Sequence, residues 1–578
     1  MNQEKKSSNI VLDIETDGLL LDCTTMWVGV TKDIDTNTTQ VWYDVNKLVD
    51  YLQDKHIIGH NILGFDIPAL EKLSGKSITA TYTDTMILAK LVFYDKDKSW
   101  SHSLDAYGER LKFYKGHHED WSKYSKEMEE YCIQDVEVTH KLYNKLLEKG
   151  EWLQRSTLEF EQDVQRIITK QYQNGWTFDI KGAQKLHVEL VQELENAEQT
   201  LFETFKPLFL PEGKPKTPKK PFKRMGIETV GIHQPIKLTP FNPGSGNHIV
   251  WWVDMLYGKQ EWILTEKGNP MTDSSTLEAM FSDKDWAEPL LHYLEVQKIL
   301  GQLVEGPKAW MKLVGDDGKL HGSIDVLGAN SGRATHSNPN MSQIPSTRAF
   351  KGKEARSLFI VPKGKVLVAA DLSGVELRCL AHYMAKWDNG EYANIILNGD
   401  IHTANMEAAG LTSRDQSKTM IYGYLFGAGD AKLGKIVNGT SKHGRQIRNK
   451  FESKIPALGK MSEAVKKASK RGYLVGITGR RLHVRSEHSA LNTLLQSLGA
   501  YISKQWMIVV HKKIQEKGID AKQISWVHDE LEFECSEKDA DTMMQILEEA
   551  SLEAGEILKL KIPIHSEAKK GLDWSQVH

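Results

Sequence analysis

The sequence contains little cysteine and no long apolar run. Only four of its 578 residues are cysteines, they are scattered, and no Cys-x-x-Cys pair occurs. This pattern argues against a disulfide framework or a zinc site and is typical of a reducing compartment. No apolar run approaches the ~20 residues of a membrane span, and the first residues, MNQEKKSSN, lack the apolar core of a secretory signal. We therefore expect a cytoplasmic protein that does not contact a membrane.

A large excess of charge of one sign is also missing. The chain has 74 basic and 77 acidic residues, which gives a formal net charge of −3. The distribution is uneven, because residues 432–485 carry fifteen Lys or Arg and only two acidic residues, Glu452 and Glu463. A solvated surface can have this composition. A basic track combined with clusters of carboxylates is, however, what an enzyme acting on phosphodiesters requires.

The order of apolar patterns predicts several domains. The length allows roughly three or four domains of ~150 residues each. Residues 1–150 alternate strands and helices, which predicts a compact α/β domain of the nuclease type. Residues 151–310 are largely helical, with amphipathic stretches at 151–172 and 183–205.

The remainder of the chain predicts one sheet with an inserted helical block. A strand at 365–371 leads into a helix at 374–385, and residues 523–535 predict a hairpin. We expect these strands, although distant in sequence, to pair in the same sheet.

Residues 211–224, PEGKPKTPKKPFKR, interrupt the helical pattern. They contain four prolines and six basic residues, so we expect that neither helix nor sheet propagates through them. The segment is either a flexible linker or a basic flap that contacts DNA or a partner.

A first set of candidate site residues lies near the N-terminus. Asp13 and Glu15 end an apolar strand, and residues two apart on a strand point to the same face. Asp66 follows in GHNILGFD. Tyr131 and Asp135 are four apart on a predicted helix, which places the phenol beside the carboxylate. Four carboxylates and one phenol suit a phosphodiesterase with two Mg²⁺ ions, in which Tyr131 orients the attacking water.

A second set lies in the C-terminal half. VLVAADLSGVELR, residues 366–378, places Asp371 at the end of a strand, and WVHDELEFE, residues 526–534, places Asp529 and Glu530 at a hairpin turn. Unpaired charge is costly beside buried strands, and a bound divalent ion would offset that cost. Asp371 and Asp529 are therefore predicted to hold two Mg²⁺ ions, with Mn²⁺ as a substitute, which activate a primer 3′-hydroxyl and neutralise a triphosphate.

A helical stripe lies between these acids. Arg414, Lys418, Tyr422 and Phe426 are each four residues apart in RDQSKTMIYGYLFG. A core helix would separate its aromatic residues from its cations. Here the cations can bind triphosphate oxygens, while the aromatic residues lie against the nucleotide.

Together these motifs resemble two known families. The ordered set DxE, NxxxFD and YxxxD resembles the DEDDy 3′→5′ exonucleases, with all five positions filled. The segments around Asp371, the helical stripe and Asp529 resemble motifs A, B and C of family A (Pol I-like) DNA polymerases. The resemblance covers nearly the whole chain, including SGRATHSNPNMSQIP, NGDIHT, ALNTLLQSLGA and the ending GLDWSQVH, and is greatest for the replicative polymerases of T-odd phages.

The resemblance implies an α/β (α+β) multidomain fold, in which an RNase H-like exonuclease domain precedes a right-hand polymerase. The implied domains are an exonuclease (1–150), a thumb with connecting helices (151–310) whose Lys/Pro-rich insertion lies near 207–240, a first part of the palm (311–376), fingers (377–490) and a second part of the palm (491–578).

Further roles follow from the resemblance alone. His402, Arg414 and Lys418 would contact the triphosphate, and Lys418 could protonate the leaving pyrophosphate. Glu376 would hydrogen-bond the aromatic residue at 422 and crowd a ribose 2′-hydroxyl. The residues implied to read the minor groove at the primer–template end, where correct pairs look alike, are Arg333, Gln343, Gln496 and His528.

Two positions differ from the residues that are usual in the family that the chain resembles. Phe426 replaces the usual tyrosine, so it can still stack near the template base but lacks the hydroxyl. Tyr422 is the tyrosine variant of a position that is Phe in many members, and it implies ready incorporation of dideoxynucleotides.

The expected partners are primer–template DNA and dNTPs, with a helicase or a single-stranded DNA-binding protein as candidates. Phage members of the resembled family can carry a long thumb insertion that binds a host thioredoxin. The equivalent stretch here, about 207–240, looks much shortened, which makes a thioredoxin-type processivity factor doubtful. If a phage encodes the chain, it would work in the host cytoplasm. Three alternatives remain. A repair polymerase is disfavoured by the complete exonuclease set and the lack of an N-terminal extension, and a single-subunit RNA polymerase is disfavoured by the exonuclease domain and Glu376. A non-catalytic DNA-binding protein would show gaps in the motifs, and the motifs have none.

Overall fold

The computed structural model divides the chain into two compact units. The first comprises Met1–Trp176, His321–Gln343 and Val361–His578, and the second comprises Thr177–Leu320 and Ile344–Ile360. The residues that the structure describes are 8–96, 99–114, 118–220, 222–224, 227–229, 231–265, 267–437 and 439–577. The domain boundaries implied by the sequence remain predictions.

A five-stranded sheet forms the N-terminal part of the first unit. Its strands, in spatial order, are Thr38–Trp42, Met26–Asp33, Asn9–Thr16, His56–Gly59 and Thr81–Asp84. The central strand Asn9–Thr16 is antiparallel to Met26–Asp33 and parallel to His56–Gly59. Ile10, Leu12 and Ile14 on one face join the large core, and Val11 on the other face packs with Met128, Cys132 and Val136. By this alternation Asp13 and Glu15 share the face that is covered by the helix Lys126–Lys149.

Helices surround this sheet, as predicted. They are Val45–Leu52, Asp66–Ser74, Thr85–Val92, Leu104–Arg110, Lys126–Lys149 and Arg155–Asn174. Side-chain oxygens of Asp44, Asp84, Ser103 and Ser125 accept backbone N–H groups at four of the helix starts, which fixes where these helices begin.

A four-stranded sheet carries the C-terminal part. Its strands, in spatial order, are Ala521–Val527, Glu530–Ser536, Lys365–Leu372 and Ser566–Gly571, all antiparallel. Strands separated by about 150 residues of sequence therefore pair, which confirms the predicted shared sheet. The helices Glu487–Lys517 and Ala540–Ile557 accompany it.

The inserted block between these strands is helical. Its helices are Val375–Asp388, Glu391–Asn398, Ile401–Ala409, Arg414–Leu425, Asp430–Lys435, Ser441–Lys454 and Pro456–Ser469. A hairpin of Tyr473–Val475 and Arg481–His483 follows. A second short hairpin pairs Ser323–Asp325 with Thr335–Ser337, and one-turn 3-10 helices occur at Met341–Gln343, Glu537–Asp539 and Trp574–Gln576.

The second unit has its own aromatic core. Phe205, Phe241, Trp252 and Trp286 are buried together. Its helices are Ile180–Thr204, Gly246–Tyr257, Ser274–Phe281, Ala287–Leu300, Trp310–Leu313 and Gly352–Ser357, with a π-helical turn at Gly301–Glu305.

The prediction that no sheet propagates through residues 211–224 is wrong. Leu208–Pro211 pairs with Ile236–Thr239, a bridge joins Lys216 to His233, and Phe222–Arg224 pairs with Ile227–Thr229. Among the described residues between 208 and 239, these nested pairs form an antiparallel β-ribbon, hereafter the ribbon. A two-stranded ribbon leaves one edge of each strand unpaired, and proline is tolerated at such an edge.

Among the residues that the structure describes, no helix combines the length and the apolar character of a membrane span.

Two candidate active sites

Four carboxylates of the N-terminal sheet and its helices form the first candidate site. This N-terminal acidic cluster consists of Asp13 and Glu15 on the central strand, Asp66 at the start of a helix, and Asp135 on the helix Lys126–Lys149. The side chains of Glu15, Asp66 and Asp135 are only 8%, 4% and 2% exposed. The carboxylate Oδ1 of Asp66 accepts the backbone N–H of Ile14, which lies between the two strand acids, at 3.2 Å. The fold therefore brings the predicted acids together.

Burial makes the charge of this cluster costly. It raises the pKa of Asp66 to about 7, and the nearby charges of Asp84 and Asp135 act in the same direction, although backbone N–H groups oppose them. Buried carboxylates of like charge are stable as anions only when a cation compensates them. The cluster consists of the hard oxygen donors that Mg²⁺ prefers, so the residues fit the predicted metal.

Cys132 is part of this cluster, and the sequence analysis missed it. Its thiol lies 3.4 Å from Oδ2 of Asp13, and the ligand atoms of Asp13, Glu15 and Cys132 lie within 4.8 Å of one another. Burial raises the pKa of the thiol well above its usual value, and the charge of Asp13 raises it further, so the protonated thiol donates to the carboxylate. The available signal was its position three residues before Asp135, on the same helical face.

Tyr131 lies on the same helix. Its ring is 5.7 Å from that of Trp121 and 6.3 Å from that of His118, centroid to centroid. The spacing of four residues to Asp135 is preserved in an unbroken helix.

The second candidate site lies where a strand end meets a hairpin turn. Asp371 is opposite Glu530 in the register of the C-terminal sheet, and the backbone N–H of Leu372 donates to the carbonyl of Asp529 at 3.0 Å. Glu376 lies in the first turn of the helix Val375–Asp388, which follows Asp371. We call Asp371, Glu376, Asp529 and Glu530 the C-terminal acidic cluster. Glu530 is 6% exposed and accepts the indole N–H of Trp574 at 3.2 Å, so it faces the interior more than the other three.

The electrostatics of this cluster parallel those of the first. Burial raises the pKa of Asp371 to about 7, and Asp529, Glu530 and Glu376 add to this effect. Burial likewise raises the pKa of Asp529 to about 6, with Glu376 as the next cause. One cation is close, because a guanidinium nitrogen of Arg333 lies 3.7 Å from a carboxylate oxygen of Glu376. The oxygen donors again fit Mg²⁺.

The predicted stripe faces this cluster in part. Burial raises the pKa of Tyr422, as do the charges of Glu376, Asp529 and Asp371, so its phenol lies within their field. The ring of His402 is 6.5 Å from that of Tyr422. Burial lowers the pKa of His402, and the nearby cations Arg414 and Lys418 lower it further. Phe426 directly follows the helix Arg414–Leu425 and is 44% exposed.

Asp400 is a second residue that the sequence analysis did not assign. It accepts the backbone N–H groups of His402 and Thr403 at the start of a helix and is paired with Arg414, with 2.9 Å between Oδ2 and Nε. This pair fixes the guanidinium beside His402.

The predicted minor-groove residues are found in different settings. Arg333 and His528 line one cavity together with Asp529. Gln496 is half-buried on the helix Glu487–Lys517, and Gln343 is exposed in a 3-10 turn. Neither glutamine lines that cavity.

The fold and the two acidic clusters define the class. Residues 223–576 match the family described as DNA polymerase family A. The chain belongs to this family. It is 32% identical to the DNA-directed DNA polymerase of Enterobacteria phage T3 and 33% identical to that of Escherichia phage T7, in each case over 98% of this chain and 100% of the relative.

The solved structures support the same fold. The POL domain of Pol1 from M. smegmatis, in complex with DNA primer-template and dNTP, matches with a TM-score of 0.80 and 19% identity, over 99% of this chain and 96% of that one. The alignment with the phage T7 enzyme extends over 711 positions, although this chain has 578 residues. The relative therefore contains segments that this chain lacks.

Proposed function

We propose that the chain is a template-directed DNA polymerase that extends a primer 3′-hydroxyl with dNTPs, and that it also degrades DNA from the 3′ end. The observation that supports polymerisation best is the meeting of Asp371 and Asp529 at one strand end, two carboxylates 158 positions apart in the printed sequence, each with a raised pKa. The T3 and T7 relatives, named DNA-directed DNA polymerases, support the same reaction.

Asp371 and Asp529 would hold two Mg²⁺ ions in the polymerase site. Bound there, the ions would lower the pKa of the primer hydroxyl and neutralise charge on the triphosphate. Glu530 stays behind them, held by Trp574, and contributes negative charge that favours cation binding. Glu376 lies at the start of its helix, where it can crowd a ribose 2′-hydroxyl and so favour deoxynucleotides.

The helical stripe would bind the incoming nucleotide. Arg414 and Lys418 supply cationic donors for phosphate oxygens, and Asp400 keeps Arg414 beside His402. Lys418 could also give a proton to the leaving pyrophosphate. Tyr422 lies within the field of the acidic cluster, a position from which its ring can contact the sugar and base.

The primer end would lie against Arg333 and His528. Both line the cavity beside Asp529, where donors can test the acceptors that correct base pairs share. Gln343 and Gln496 would extend this contact along the groove, and exposed Phe426 would stack near the template base.

The N-terminal acidic cluster would perform 3′→5′ exonucleolysis. Asp13, Glu15, Asp66 and Asp135 would hold its metal ions, and Tyr131 would orient the attacking water. The buried, oxygen-rich setting of these acids supports this assignment. A polymerase with such a second site can remove a mispaired 3′ end, which suits a replicative phage enzyme.

The ribbon would contact duplex DNA through its lysines. Lys214, Lys216, Lys219 and Lys220 are exposed, and each phosphate neutralised should change the slope of log K against log salt by ~0.9. Replacing the four with Ala should flatten the salt dependence of primer–template binding, measured by anisotropy. A control that removes Lys47, Lys76 and Lys149, exposed on the N-terminal domain, should not. An unchanged slope in the ribbon variant would exclude this role.

Primer extension on a primed single strand tests the main proposal. The wild type should extend the primer with Mg²⁺ and dNTPs and should stop when EDTA is added. The order in which it adds nucleotides should follow the template sequence. Asp371→Ala should not extend the primer but should still shorten it. Failure of the wild type over a range of salt and metal conditions would reject the polymerase, whereas extension without any shortening by Asp371→Ala would reject only the exonuclease.

A further inference from the structure

A small cavity lies beside the hairpin turn that carries Asp529. Its volume is about 20 Å³, taken as the space open to the centre of a water molecule. This is about the space that one water needs. Its lining includes the polar side chains of Arg333, His336, His528 and Asp529.

Among these four polar residues, His336 is the one to which neither the motifs nor the proposed chemistry gives a role. It lies in the middle of the strand Thr335–Ser337 and is 9% exposed. Its Nδ1 is buried without a hydrogen-bond partner among the residues that the structure describes. Buried polar atoms are nearly always paired with protein or with ordered water. The unpaired nitrogen therefore indicates that the cavity holds a hydrogen-bond partner.

The rings of His336 and His528 are in edge-to-face contact. Their centroids are 6.3 Å apart and their planes meet at 82°. Burial lowers the pKa of His336 to about 4, and the positive charge of His528 contributes. The imidazole is therefore neutral at neutral pH and offers one donor and one acceptor nitrogen.

His528 has a well-held backbone. Its φ is 58°, in the left-handed region that a non-glycine residue seldom adopts. Its carbonyl oxygen accepts Oγ of Ser503 at 2.8 Å and Nε1 of Trp526 at 3.0 Å. These bonds fix the turn, but they do not fix the imidazole, which shares the cavity with His336 and Arg333.

We propose that His336 is a positioning residue that binds one water molecule in this cavity and, through it, orients His528 and Arg333 toward the primer end. Water satisfies such a site only with two to four polar partners, and the cavity offers the side chains of Arg333, His336, His528 and Asp529. His336 itself is more buried than the two residues that would touch DNA. This inference rests on the proposed polymerase function.

Extension of mispaired primers tests this role. In an Asp13→Ala background, which removes primer degradation, His336→Leu should remove the nitrogen that holds the water and lower the ratio of matched to mispaired extension by about tenfold, a coupling of the size seen between neighbouring residues. His336→Asn keeps a polar atom near Nδ1 and should preserve the ratio within about twofold. In an Asp13→Ala/His528→Ala background, His336→Leu should cause a smaller further loss, because one of the two residues through which it acts is gone.

Three results would overturn the inference. His336→Leu could keep the wild-type ratio, His336→Asn could fail as His336→Leu does, or the loss could persist unchanged in the His528→Ala background. Single-strand degradation by His336→Leu with Asp13 intact should equal that of the wild type, which checks folding. If the Asp13→Ala parent extends no primer at all, the proposed function fails instead, and the two failures are thus distinguished.

Discussion

The two acidic clusters use the same donor chemistry in different packing. The N-terminal acidic cluster lies in a core between a sheet and a long helix. Three of its acids are at most 8% exposed, and the fourth, Asp13, accepts a hydrogen bond from the thiol of Cys132. The C-terminal acidic cluster lies at a strand end and a turn, where Asp371 reaches the surface. Raised carboxylate pKa values occur in both. Clustered carboxylates need a compensating cation in either setting, and under the proposed function only the more open C-terminal acidic cluster would receive a duplex end and a nucleotide.

Variants that remove one activity and keep the other should give the largest effect. Asp13→Ala should lower 3′ degradation by at least about 10³-fold, because several kcal/mol of transition-state stabilisation depend on the bound ion. Its rate of correct extension should stay near that of the wild type. Asp529→Asn should show the reverse pattern. Single-turnover assays on labelled primers measure both rates, and loss of both activities in either variant would show that the clusters are not independent.

Nucleotide choice tests the open cluster alone. Tyr422→Phe removes the phenol that lies within the field of Glu376, Asp529 and Asp371. We expect discrimination against dideoxynucleotides to rise by about 10- to 100-fold, the value of a hydrogen bond to a charged group, because the phenol can replace the missing 3′-hydroxyl. The ratio of kcat/KM for dNTP and ddNTP measures it. Strong discrimination by the wild type would contradict the role of Tyr422, and 3′ degradation should not change.

The pH dependence of stability distinguishes the clusters by burial. Folding raises the pKa of Asp66 and Asp371 from 3.8 to about 7 and that of Asp529 to about 6. The folded state thus binds more protons than the unfolded state, so metal-free stability should fall as pH rises from about 4 through about 7. Mg²⁺ should restore it, because it binds the folded state.

Matched variants sharpen this test. Asp66→Asn should raise the melting temperature in EDTA at pH 8 by about 3 °C, and Asp371→Asn by less, because Asp371 is better solvated. Asp35→Asn, at an exposed turn, should change nothing. Scanning calorimetry at pH 5 and pH 8 measures the difference. Equal gains for Asp66→Asn and Asp371→Asn would show that burial does not separate the clusters.

The sequence predicted most of the fold and the acids, for physical reasons that particular residues show. Periodicity located the helices near 128–149 and 183–205, and distant strands that end in Asp371 and Asp529 were assigned to one sheet. The sequence could not show the ribbon, because a Pro-rich composition gives no sign of strand pairing in which each strand uses only one of its edges. Nor could it show Cys132 or His336, since each acts through neighbours that only the tertiary structure supplies.

Cys132 gives the smallest predicted difference between the clusters. Its thiol donates to Asp13 at 3.4 Å, a contact that has no counterpart near Asp371 among the described residues. Cys132→Ala removes one weak donor, so we expect 3′ degradation to fall about two- to tenfold, the range of a neutral hydrogen bond. Cys132→Ser keeps a donor and should lose less. Extension should be unchanged in both variants. If Cys132→Ala degrades primers as fast as the wild type, the thiol only fills space and its hydrogen bond to Asp13 does not distinguish the clusters in function.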